Sequence, residues 1–93
     1  MASSFEVHQV FELRERGLFA VSGVIRDGMV ETGMYATLGT GAPEFRERIH
    51  SIEYLDRPGV LGSPSLTFHY RDPAKLKRWM ALIWAGQTLT LTF

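Results

Sequence analysis

The stretch FEVHQVFEL (5–13), RERG (14–17), LFAVSGVIRDG (18–28) decides the fold. Phe5, Val7, Phe11 and Leu13 share one parity, and Glu6, His8 and Glu12 the other. Period-two alternation is the pattern of a strand with one buried face. Val10 is out of phase and is read as a bulge or a partly covered outer face. Arg14-Glu15-Arg16 and Gly17 form a polar turn. Leu18, Phe19, Val21, Val24 and Ile25 then restart as a second strand. Gly23 has no side chain to pack and marks a bulge or a sharp bend of a barrel wall. Asp27-Gly28 is a turn signal, because both residue types accept the positive φ that tight hairpins need.

Outward from there, a third strand is expected over 34–38, after Gly33, and residues 39–43 are a loop by composition. FRERIHSIEYL (45–55) reads as one long fourth strand whose phase slips. Phe45 and Ile49 have one parity, Ile52 and Tyr54 the other. A bulge near Ser51, or cover on both faces, reconciles them. Asp56-Arg57-Pro58-Gly59 breaks the strand, and Gly62-Ser63-Pro64 extends the loop. Leu66, Phe68 and Tyr70 alternate with Thr67 and His69 in a fifth strand. Asp72 is a preferred N-cap and Pro73 a preferred first helical residue, which starts a helix expected over about 73–85 with Gly86 as its stop. Leu76, Trp79, Met80 and Ile83 have the spacing of a buried stripe. Gln87 to Phe93 alternates strictly, with Leu89, Leu91 and Phe93 inward.

These elements make one domain over residues 1–93. It is mainly β, and a closed barrel would remove its sheet edges. With 45% hydrophobic and 22% charged residues the chain reads as globular. It has no cysteine, which excludes disulfides and thiolate chemistry. No run reaches the roughly 18 apolar residues of a membrane span, and the N-terminus lacks the regions of a signal peptide. A soluble, cytoplasmic domain without membrane contact is expected.

The segment Val10-Phe11-x-Leu13-x-x-Arg16-Gly17-Leu18-x-x-Val21-Ser22-Gly23-x-Ile25-x-x-Gly28-x-Val30-x-x-Gly33 resembles domain 2 of translational GTPases such as elongation factor Tu. Ser51-Ile52-Glu53 and Gly86-Gln87-Thr88-Leu89 continue the likeness. The resemblance implies a small, closed, six-stranded antiparallel Greek-key barrel, here with an added helix. Gly23 would permit the strong bend, and Gly28 and Gly33 would bracket a hairpin. In members that bind aminoacyl-tRNA, the residue matching Glu53 helps contact the terminal adenosine, and the Arg16-Gly17 turn lies near the same pocket. Glu15 stands where the family has a glycine. No G-x-x-x-x-G-K-[ST] loop is present, so the chain is not expected to bind GTP on its own.

Little in the sequence suggests catalysis. His8, His50 and His69 fall on three expected strands, with His69 facing outward, and no H-x-x-x-H or H-E-x-x-H pair offers a metal site. Glu44, Glu47 and Glu53 interleave with Arg46 and Arg48 as a solvated strand face with cross-strand charge pairs would. No enzyme activity, metal or cofactor is expected. A flavin-related or other small-ligand barrel is an alternative, although no flavin-phosphate motif supports it.

Charge is the more informative signal. The formal net charge is zero, yet residues 1–56 carry −4 and residues 57–93 carry +4. Arg71, Lys75, Lys77 and Arg78 cluster at the helix, where cations near the N-terminus do not serve the dipole. With Trp79 and Trp84 they are the candidate partner-binding residues; Arg16, Gly17 and Glu53 are the family-matched pocket candidates. The expectation is a stand-alone binding module whose partner is a protein or RNA, or a second copy through the helix. RNA binding by the basic helix patch is the runner-up.

Overall fold

Alternation becomes sheet in the computed structural model of the chain, which describes residues 2–38, 45–54 and 64–93. Glu44, Leu55 and the loops expected over 39–43 and 56–63 lie outside those residues. The elements are β1 (Ser3–Leu13), β2 (Leu18–Asp27), β3 (Tyr35–Leu38), β4 (Phe45–Arg48), β5 (Ser51–Tyr54), β6 (Pro64–His69), α1 (Pro73–Leu82) and β7 (Thr88–Thr92). One 3-10 turn, Arg14–Arg16, joins β1 to β2. The strands form one sheet in the order β4-β3-β7-β1-β2-β6-β5, and every neighbouring pair is antiparallel. The chain is mainly β with a curled, barrel-like sheet and one helix. The described residues form seven strands rather than the expected six.

The extra strand comes from the fourth. The stretch expected to run unbroken through 45–55 is interrupted at Ile49-His50. Ile49 N–H donates to Met34 O at 2.8 Å, and Ile49 O accepts from Gly33 N–H at 3.2 Å. One residue later, His50 N–H donates to Thr67 O at 2.8 Å. The partner therefore changes from the β3 side to β6 within one peptide unit. That switch produces the phase slip: Phe45 and Ile49 are buried before it, and Ile52 packs on the core after it. It lies slightly ahead of the Ser51 bulge read from parity. The two outer strands of the sheet order are thus separated by only two residues of chain.

A similar phase change explains Val10. The β1–β2 register skips His8, because Val7 faces Gly23 and Gln9 faces Ser22. Beyond this bulge Val10 pairs with the core residue Val21, and Val10 packs on the core. Phe11 and Leu13 pair with Ala20 and Leu18, so they occupy the opposite face from Phe5 and Val7. Simple parity had placed all four together. Gly23 is required by close approach, not by φ. A Cβ there would overlap the Glu6 carbonyl oxygen and lie 2.9 Å from Phe5 Cε1. Gly28 and Gly33 do have positive φ, of 76° and 95°. They do not bracket a hairpin, however: β2 pairs with β1 and β6, whereas β3 pairs with β4 and β7.

The helix closes over an aromatic cluster. Asp72 accepts from Ala74 N–H at 2.9 Å, as an N-cap should. Leu76, Trp79 and Ile83 are buried, and the Trp79 ring lies 5.6 Å from Phe45 and 5.7 Å from Phe19. Met80, expected in the buried stripe, is exposed. The helix also stops at Leu82, three residues short of Ala85. The Gln87 side chain donates to Leu82 O at 3.0 Å and accepts from Trp84 N–H at 3.0 Å. Gly86, at φ 96°, turns the chain so that its N–H donates to Val7 O and β7 can begin.

Candidate functional site

Two surfaces collect the residues that the sequence singled out. The first forms where the Arg14–Arg16 turn meets β5. Gly17 takes a left-handed conformation, φ 65°, and its carbonyl accepts from Tyr70 N–H at 3.1 Å. This fixes the turn against the end of β6. From it, Arg16 donates Nη1 to Glu53 Oε1 at 2.7 Å and Nη2 to Oε2 at 2.6 Å. Ser51 Oγ adds a third bond to Glu53 at 2.9 Å. The Arg16 guanidinium chiefly holds the Glu53 carboxyl below the ordinary carboxylate range, against the opposing effect of burial, and the Ser51 hydroxyl adds to it. The same bonds raise Arg16. The structure therefore brings Arg16, Gly17 and Glu53 together, but it spends the two charges on each other. A carboxylate so engaged is a weak proton acceptor.

The second surface is the helix. Arg71, Lys75, Lys77 and Arg78 are all exposed. Lys75 reaches Glu47 Oε1 at 3.5 Å and lies 5.3 Å from the Trp79 ring. Its place near the helix N-terminus is thereby accounted for. Arg71, Lys77 and Arg78 have no ion-pair partner among the described residues. The two tryptophans part ways. Trp79 is 3% exposed and belongs to the core, so it offers no surface to a partner. Trp84 is 58% exposed, just beyond the helix C-cap at Ile83, and Met80 is 45% exposed.

The histidines do not converge as three. His8 contacts Glu6 at 2.7 Å, beside the Arg26–Glu6 pair. His50 and His69 do meet, with ring centroids 5.7 Å apart. Among the described residues no group of three ligating side chains could hold a metal. Sequence reasoning missed this His pair, because it depends on where β4 gives way to β5. The same holds for Arg46, whose guanidinium sits 4.1 Å above the Tyr35 ring.

The chain matches no family model, no curated protein and no solved structure.

Proposed function

We propose that this chain is a non-catalytic interaction module of the translation-factor barrel type, with the exposed side of α1 and the turn after it as its contact surface. The observation that carries the reading is Trp84, a large aromatic ring left in solvent just beyond a helix on which Lys77, Arg78 and Met80 are also exposed. Leaving such a ring exposed forgoes about 1.5–3 kcal/mol of burial, and aromatic and Arg side chains dominate the energetics of interfaces. The unpaired cations select a partner of negative charge. The barrel type rests on the residue pattern over 5–55 and 86–93. It is supported by the succession of β4 and β5, which counted as one bent strand would close six strands into a Greek-key barrel.

Single-stranded RNA is the partner that Trp84 favours, because a base stacks on an exposed indole while Lys and Arg follow the phosphates. The test is a fluorescence titration at low salt with single-stranded RNA and, separately, with poly-glutamate. Quenching of Trp84 by RNA, lost in Trp84→Leu, supports RNA. Binding of poly-glutamate alone supports an acidic protein. Neither polymer binding below 50 mM salt, a condition set by the steep salt dependence of such contacts, refutes the reading.

A further inference from the structure

A cleft of about 550 Å³ opens where the partner of the fourth strand changes. Its lining includes Thr32, Gly33, Arg48, Ile49, His50 and His69. It is distinct from the helix face, and we infer that it binds a phosphate monoester dianion.

Three elements build it. One wall is the turn from Glu31 to Met34, closed by Met34 N–H donating to Glu31 O at 3.2 Å. Gly33, with φ 95°, holds that turn and bonds to Ile49 through its N–H. Its carbonyl accepts from Arg48 Nε at 3.3 Å. That bond fixes one edge of the guanidinium and leaves Nη1 and Nη2 with no hydrogen-bond partner among the described residues. The far wall is the His50–His69 pair, whose ring nitrogens likewise have none. Thr32 adds a hydroxyl. One guanidinium, two imidazoles and a hydroxyl supply donors on several sides, the arrangement that a tetrahedral oxyanion with several acceptor oxygens requires.

Charge decides the sign of the ligand. Two neighbouring histidines alone would equally suit a divalent metal, but Arg48 lines the same cleft and would repel one. The carboxylates nearby are already committed. Glu47, which also lines the cleft, pairs with Lys75 at 3.5 Å. Glu53 is held by Arg16 and Ser51. Glu31 is on the turn but does not line the cleft. With Glu47 countered by Lys75, Arg48 leaves a positive balance facing the cleft. The volume exceeds that of a bare phosphate, which leaves room for the organic part of a small ester.

The experiment is a ligand titration of the whole chain followed by NMR, reading the His50 and His69 ring protons and the Gly33 amide. The probes are inorganic phosphate, glycerol phosphate and sulfate. We expect saturable shifts with all three. Glycerol phosphate binding at least as tightly as phosphate identifies an organic ester as the ligand; the reverse order identifies free phosphate. Arg48→Gln should weaken binding at least fivefold, and Arg48→Lys should restore part of it. His50→Ala combined with His69→Ala, which removes both ring donors, should weaken binding at least threefold. These side chains are exposed, so the variants should melt as the parent does. Shifts no larger than those from sodium chloride at equal ionic strength would overturn the inference. So would an unchanged affinity in the double histidine variant, or loss of binding in Lys77→Gln/Arg78→Gln, which would place the anion on the helix instead.

Discussion

Gly23 shows how a single residue sets the curvature of the sheet. It sits opposite Val7, next to the point where the β1–β2 register skips His8. The backbone of Glu6 approaches so closely that a methyl group has no room, and backbone cannot swing aside as a side chain can. Gly23→Ala should therefore destabilise by about 2–3 kcal/mol, measured by urea unfolding, as overpacking of a core typically does. Gly86→Ala is the contrast. No atom lies within 4 Å of its would-be Cβ, so its cost is limited to the strained φ of 96°, about 1 kcal/mol. Equal losses in the two variants would contradict the close-approach account.

Glu53 allows a second test at this scale. Its pKa is depressed in the folded chain, chiefly by Arg16, so the unfolded state binds protons first as pH falls. The stability it contributes is present above the ordinary carboxylate value and is lost as pH drops through the folded value. In Glu53→Gln, the curve of unfolding free energy against pH should be flatter below about pH 4.3 than in the parent. Parallel curves would show that the Arg16–Glu53 bonds do not persist in solution. The family resemblance pointed to both residues, but the bonds between them depend on a turn and a strand 37 positions apart. Local pattern does not encode such a pairing.

Elements were legible where one periodicity held throughout. β7 and the N-cap of α1 fall where alternation and Asp72-Pro73 placed them, with Leu89 and Leu91 buried, although Phe93, expected inward, is exposed. Errors gathered where a strand changed partner or a side chain intervened. The Val7/Gln9 bulge turned Phe11 and Leu13 to the opposite face, and the switch at Ile49-His50 split one expected strand into β4 and β5. The helix ended early because Gln87, five residues beyond Leu82, supplies bonds that would otherwise have come from another turn of helix. Gln87→Ala leaves the Leu82 carbonyl and the Trp84 N–H without that partner. It should cost about 1 kcal/mol and speed amide exchange at Trp84, whereas Gln87→Glu should keep only the bond from Trp84 N–H. An unchanged Trp84 exchange rate in the alanine variant would argue against the cap.

At the scale of the whole molecule, the curled sheet and the helix divide the aromatic residues between two tasks. Trp79 closes the core over Phe19, Phe45 and Phe68, so Trp79→Ala should cost about 3–5 kcal/mol. Trp84→Leu, an exposed change, should stay within about 0.5 kcal/mol of the parent. The charge split visible in the sequence ends as cations on a helix face with no ion-pair partner among the described residues, apart from Lys75. Which of the two tryptophans was exposed lay beyond sequence reasoning, because the early end of α1 decides it. The most direct measurement of the proposed function is the salt dependence of RNA affinity in the parent and in Lys77→Glu/Arg78→Glu. If these side chains contact phosphates, the parent's affinity should fall steeply with salt, and the variant should bind more weakly with a slope shallower by about 1.4. The same affinity and slope in both proteins would contradict the placement of the partner on this helix.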